Sequence, residues 1–186
     1  MKLEDGEAHQ GLRIRGESLA GGRLRMAQLL DCRLTDCDLS NAEWELCRLE
    51  GVVFDRSRLT GFRLSECRGL EVTFRSCQGR YLQLDRCKLE ATLFESCQLN
   101  ESSMMGCELP RAVFTECDLA GAVLSGSQLR GADLRGCTIG GIRATLDDLA
   151  GTVLDPEQAA AVLMGEVGIR VVPVGVELGP AGRSSD

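Results

Sequence analysis

One histidine, one tryptophan, one tyrosine and four prolines occur in 186 residues, and aromatic residues make up only 4%. A histidine-based catalytic triad or a histidine-rich metal site is therefore not expected, and the one histidine, His9, lies outside the cysteine-bearing array. The zinc spacing C-x-x-C is missing despite ten cysteines. No apolar run approaches the length of a membrane span. The opening residues, Met1 to Glu7, hold no apolar signal-like stretch, so a cytoplasmic location is expected. Basic residues are also in deficit: 21 Lys+Arg against 28 Asp+Glu leave a net charge of −7. An acidic chain is a poor direct ligand for nucleic acid, whose phosphates require a basic surface.

What the sequence has in abundance is repetition. Every fifth residue from Ile14 to Leu154 is large and apolar, except Gly69, Gly79 and Ala144, and the register never shifts. A helix repeats every 3.6 residues and a strand every 2, so neither accounts for strict fives. All ten cysteines (32, 37, 47, 67, 77, 87, 97, 107, 117 and 137) fall two residues before one of these apolar positions. Chance would place ten residues in one of five phases with odds of about one in two million. Where that slot lacks cysteine it is mainly small, as at Ala27, Ala42, Ser57, Ala112 and Ala132. A small and a large residue two apart point the same way on an extended segment, and the polar residue between them points outward. The last slot turns the corner, a role suited to Gly61, Gly106, Gly121, Gly126, Gly131 and Gly136.

A second period sets the number of sides. Phe54, Phe74, Phe94 and Phe114 recur every 20 residues, which predicts four pentapeptides per coil and one column of stacked rings. At roughly 4.8 Å per coil, the array makes a rod about 35 Å long. The missing core side chains at Gly69 and Gly79 leave slots that neighbouring side chains are expected to fill. Asp147, in a core-phase slot, marks a final coil that departs from the pattern. The cysteines read as small buried thiols in a reducing compartment; stacked in parallel columns, they have poor disulfide geometry.

Asp155-Pro156-Glu157-Gln158 reads as a helix start, with Asp as cap, Pro at the first helical position and Gln three residues after the cap. Ala159 to Met164 continue the helix and Gly165 or Gly168 ends it; Ile169 to Val174 reads as extended. The expected organisation is an N-terminal segment (1–11), a β-helical repeat (12–154), a helix with an extended capping or dimerising segment (155–178) and a disordered tail (179–186). The apolar C-terminal segment either caps the open end of the solenoid or docks on a second copy, with Val162, Leu163, Met164, Ile169 and Val171 as interface candidates.

Segments such as Cys37-Asp38-Leu39, Cys117-Asp118-Leu119 and Gly131-Ala132-Asp133-Leu134-Arg135-Gly136 resemble the Ala-(Asp/Asn)-Leu-x-x consensus of the pentapeptide repeat family. The resemblance covers residues 12–156 and implies an all-β fold, a right-handed quadrilateral β-helix with a short C-terminal helix and tail. The spacing Leu154-Asp155, Gln158-Ala159, Leu163-Met164 and Gly168-Ile169 is similar to the C-terminal segment of the Qnr- and MfpA-type quinolone-resistance proteins. That resemblance implies a homodimer through this segment and a type II topoisomerase, DNA gyrase or topoisomerase IV, as partner. It implies a rod mimicking DNA and protecting the enzyme from a poison such as a quinolone or natural-product inhibitor.

No nucleophile motif, phosphate loop or acid–base pair stands out, so neither an enzyme nor a cofactor is expected, and function is sought on the surface. Folded onto four faces, the repeat groups Glu43, Glu45, Glu66 and Asp85 on one face and Asp31, Glu50, Glu71 and Glu90 on the next. These are the candidate partner-binding acids, interleaved with Arg48, Arg63, Arg68, Arg86 and Lys88. Leu70, Met105 and Pro110 occupy outward slots, offering contact points for a protein. A continuous acidic stripe would favour DNA mimicry; balanced faces would favour an interaction scaffold with another partner.

Overall fold

The computed structural model describes residues 3–166, 168–169 and 171–172. The chain winds into a four-sided parallel β-solenoid. On the first face, β1 (Ala8–Gln10), β4 (Gln28–Leu30), β7 (Arg48–Glu50), β10 (Arg68–Leu70) and β13 (Lys88–Glu90) form one sheet. The second face carries β2 (Arg13–Arg15), β5 (Arg33–Thr35), β8 (Val53–Asp55), β11 (Thr73–Arg75), β14 (Leu93–Glu95) and β15 (Val113–Thr115). The fourth holds β3 (Arg23–Arg25), β6 (Glu43–Glu45), β9 (Arg63–Ser65) and β12 (Gln83–Asp85). The third face is held by single bridges from Ser18 through Asp38, Arg58, Gln78, Gln98 and Asp118 to Thr138. Every strand pairs with the residues 20 further on, so each coil consumes four pentapeptides. On the second face the ladder runs through residues 13, 33, 53, 73, 93, 113, 133 and 153. The first rung, β1, lies within the segment expected to precede the coils: residues 8–10 already pair with residues 28–30.

The core is the column of central side chains. Phe54, Phe74, Phe94 and Phe114 stack with centroids 4.9, 4.8 and 4.6 Å apart and ring planes within 5°. The coil spacing of a β-ladder, about 4.8 Å, is also a comfortable offset-stacking distance, so register and ring packing reinforce each other. Trp44 packs edge-on against Phe62 at 5.2 Å. All ten cysteines are buried and free. Their thiols donate to backbone carbonyls: Cys47 Sγ lies 3.4 Å from the Glu45 carbonyl oxygen and 3.6 Å from that of Leu24.

At Gly69, an added Cβ would lie 2.8 Å from both Leu89 Cδ2 and Val72 Cγ2; at Gly79, it would lie 2.9 Å from Leu99 Cδ2. Neighbouring side chains therefore fill both slots. The small-residue slot is enlarged nearby, to Val52, Phe62, Val72 and Leu82, which compensates for the missing leucines.

From Gly6 to Gly141 each pentapeptide turns on a residue with positive φ, and glycine is not required there: among the described residues sixteen non-glycine residues adopt this conformation, including Met26, Leu46 and Tyr81 at 55°, 56° and 61°. A left-handed L-residue costs roughly 1–2 kcal/mol. The compensation is visible at most corners, where the backbone N–H donates to the next coil, as from Asp31 to the Glu50 carbonyl at 2.8 Å and from Glu66 to that of Asp85 at 2.9 Å.

Helix α1 (Pro156–Glu166) closes the C-terminal end. Asp155 and Gln158 form a reciprocal cap: Gln158 N–H donates to Asp155 Oδ1 and Asp155 N–H donates to Gln158 Oε1, both at 2.9 Å. The Gln158 and Gly136 backbone donors hold the Asp155 carboxyl below its ordinary value. The buried Gln158 amide also donates to the carbonyls of Leu134 (2.7 Å) and Cys137 (2.8 Å), tying the helix to the last coils. Beyond α1, Gly168 has φ +67° and Ile169 N–H donates to the Leu163 carbonyl at 3.3 Å, so a left-handed glycine turns the chain back onto the helix end. The expected extended segment is described only at Ile169, Val171 and Val172, and the expected tail from 179 lies outside the described residues.

Candidate interaction surface

Outward-facing residues on either side of each core position form columns with a step of 20 residues. Opposite charges recur along these columns. On the fourth face Glu43 lies 3.2 Å from Arg23 and 3.8 Å from Arg63, and Glu45 lies 2.9 Å from Arg25. On the second face Arg75 meets Glu95 at 2.5 Å. Asp36, at a corner, faces Arg56 at 2.9 Å and Arg15 at 3.5 Å. The hydrogen-bonding Arg56 guanidinium holds the Asp36 carboxyl below its ordinary value.

The eight candidate acids lie on two adjacent faces and their edges. Glu43, Glu45 and Asp85 are on the fourth face with Glu66 at its trailing corner; Glu50 and Glu90 are on the first with Asp31 and Glu71 at the next corner. Six of the eight are in ion pairs. Besides Glu43 and Glu45, these are Glu50 with Arg48 (2.5 Å), Glu66 and Asp85 with Arg86 (both 3.1 Å), and Glu90 with Arg111. Asp31 and Glu71 have no ion pair among the described residues. Of the cations that stand among the acids in the sequence, Arg48, Arg63 and Arg86 are therefore their partners in space, and the two faces are mixed in charge rather than uniformly negative. Exposed pairs of this kind contribute little individually, of order 0–1 kcal/mol. Their effect is to set the surface pattern.

Leu70 and Met105 face solvent, 44% and 50% exposed. At the C-terminal end the interface candidates divide. Val162 is buried in the core cluster, Leu163 is half-buried in an apolar groove with Leu146, Leu154 and Ala159, and Met164, Ile169 and Val171 are exposed. Among the described residues, no helix is long and apolar enough to cross a membrane, and no three or more His, Cys, Asp or Glu gather into a metal-holding group.

These features agree with comparison against known families. A model described as "Pentapeptide repeat region" matches residues 27–104, and one described as "Pentapeptide repeats (8 copies)" matches residues 97–136. The chain belongs to the pentapeptide repeat family. Similar solved structures include a trypsin-treated point variant of QnrB1, a plasmid-mediated fluoroquinolone resistance protein. It is 17% identical, with 89% of this chain and 100% of that one covered and a TM-score of 0.39. HetL, a pentapeptide repeat protein involved in heterocyst differentiation regulation from Nostoc sp. strain PCC 7120, is 17% identical, with 81% and 90% covered and a TM-score of 0.28. Rfr23 from Cyanothece 51142 is likewise 17% identical, with 82% and 91% covered and a TM-score of 0.27. No curated protein matches the chain.

Proposed function

We propose that this protein is a non-catalytic rod that binds another protein through its faces. The partner we propose is a type II topoisomerase, DNA gyrase or topoisomerase IV, occupied where duplex DNA would lie and shielded from a poison. The observation that supports a binding rod is the surface lattice: charged side chains stand in columns stepped every 20 residues on a loop-free coil from Ala8 to Arg143. Regular carboxylates on a straight support about 35 Å long, with a net charge of −7, suit a DNA-sized basic groove. A C-terminal homodimer would double that length, with Met164, Ile169 and Val171 as its exposed apolar contacts.

The pairing of six candidate acids with arginine favours a second reading, an interaction scaffold whose partner is another protein that recognises balanced charge. Gyrase supercoiling and cleavage-complex assays, run with and without a quinolone, separate the two. Inhibition of supercoiling or rescue from the poison at stoichiometric protein supports the topoisomerase partner. No effect on gyrase or topoisomerase IV by a folded sample leaves the scaffold. Charge reversal at Asp31 and Glu71, the candidate acids without an ion pair among the described residues, should weaken inhibition more than reversal at Glu43 or Glu45.

A further inference from the structure

On the first face, strand β7 reads Arg48-Leu49-Glu50 and strand β13 reads Lys88-Leu89-Glu90; between them β10 reads Arg68-Gly69-Leu70. The middle rung lacks both the core leucine and the outward carboxylate of its neighbours. Cα register places Arg68 directly between Arg48 and Lys88, and Leu70 between Glu50 and Glu90. Three cations on successive rungs, about 4.8 Å apart, repel one another. Arg48 is neutralised by Glu50 at 2.5 Å and Lys88 by Glu108 at 2.5 Å, while Glu90 is bound to Arg111. Glu50, Glu90 and Glu108 are thus each committed to another cation, and no ion pair reaches Arg68 among the described residues. Its guanidinium lines a shallow depression of about 390 Å³ with Gly69, Leu89 and Pro110, and the 44%-exposed Leu70 stands beside it.

An unpaired guanidinium in a column of like charge, next to an exposed leucine, is unfavourable in the free protein on both counts. Both are relieved by a ligand carrying one carboxylate and one apolar group. Arg68 and Leu70 lie two residues apart on the same side of a strand, a separation of about 6.6 Å, which equals the spacing of same-side residues in any extended chain. We propose that β10 is an anchor for a protein segment of the pattern acidic-x-apolar. The partner's carboxylate sits beside Arg68 as Glu50 sits beside Arg48, and its aliphatic or aromatic side chain covers Leu70. The depression offers one unpaired cation among Glu50, Glu90 and Glu108, each already held by another cation, which matches a segment with a single carboxylate. A phosphodiester chain carries a charge on every nucleotide and needs a run of free cations, so the charge pattern favours a protein over a nucleic acid. The proposal rests on the protein-binding part of the reading above and is independent of which protein is bound.

The test is selection of a random peptide library displayed on phage against the whole protein, with fluorescence binding of the selected peptides to wild type, R68E, R68Q, L70E and R143E. Arg143 is an exposed arginine on the fourth face and serves as control. Thermal melts establish that the variants fold, and R68E is expected to melt no lower than wild type because it converts a like-charged column to an alternating one. The expected result is enrichment of acidic-x-apolar peptides that bind R68E and L70E about ten-fold or more weakly and R143E unchanged. Failure to enrich peptides, enrichment without an acid, or equal binding to R68E and wild type would overturn the anchor. Because the selection contains no topoisomerase, a negative gyrase assay leaves this result standing. Normal gyrase inhibition by R68E leaves the proposed function standing while arguing that β10 serves another contact.

Discussion

Replacing Phe94 by leucine tests whether the aromatic column contributes beyond filling space. Leucine already occupies this column at Leu34, in register with Phe54, so it fits the slot without new strain. Phe94 stacks on Phe74 at 4.8 Å and on Phe114 at 4.6 Å, with planes 4° and 5° apart. Phe114 has only one ring neighbour, because residue 134 is leucine. Each aromatic pair is worth about 0.5–1.5 kcal/mol beyond the area it buries. F94L therefore loses two pairs and F114L one, while the loss of side-chain volume is the same in both. F94L should be the more destabilising by about 0.5–1.5 kcal/mol. Phe94→Ala, which also opens a cavity, should cost about 3–5 kcal/mol. Urea unfolding followed by far-UV circular dichroism and by fluorescence of the single tryptophan, Trp44, measures the differences. Coincident transitions and an unchanged denaturant slope guard against partial unfolding of the array. Equal destabilisation by F94L and F114L would refute the stacking contribution and reduce the column to simple volume filling.

Thr92 is buried among the valines of its slot, Val52 and Val72, and its hydroxyl has no hydrogen-bond partner among the described residues; T92V should stabilise by about 1 kcal/mol in the same urea assay. Removing the Gln158 amide with Q158A strips two hydrogen bonds from buried carbonyls and should cost about 1–3 kcal/mol, with faster proteolysis of α1 than of the coils. For the thiols, the neighbouring thiol of Cys107 raises, that of Cys67 lowers and burial raises the Cys87 value, which is pushed up to about 12 from 9.0. A thiol held protonated in the fold stabilises it fully below pH 9, and that contribution is lost as pH rises from 9 towards 12, so alkaline melts should fall across this window. Native protein at neutral pH should resist thiol alkylation and expose all ten cysteines only on unfolding; rapid native labelling at Cys87 would contradict the packing.

Much of the architecture was legible in the sequence because it is written in backbone periodicity. A five-residue repeat with small and large inward slots specifies the coil, and four phenylalanines at 20-residue intervals specify four sides and a ring stack. The Asp155–Gln158 cap was legible for the same reason: both donors and acceptors lie within one turn. Other features depended on the coils being assembled. The left-handed corners accept Leu46 and Tyr81 because hydrogen bonds to the next coil offset the conformational cost, and those partners lie 19 residues away. Val162 turns inward because the last coil offers it an apolar floor. The arginines beside the acids were visible as residues, but an arginine on a solenoid face can reach a carboxylate on its own rung or on the rung before or after. Arg48 takes the carboxylate of its own strand, Arg23 that of the next coil and Arg86 that of the coil before. Long, flexible side chains with several acceptors at similar range are assigned by three-dimensional packing, and that choice is what leaves Arg68 without an ion pair among the described residues.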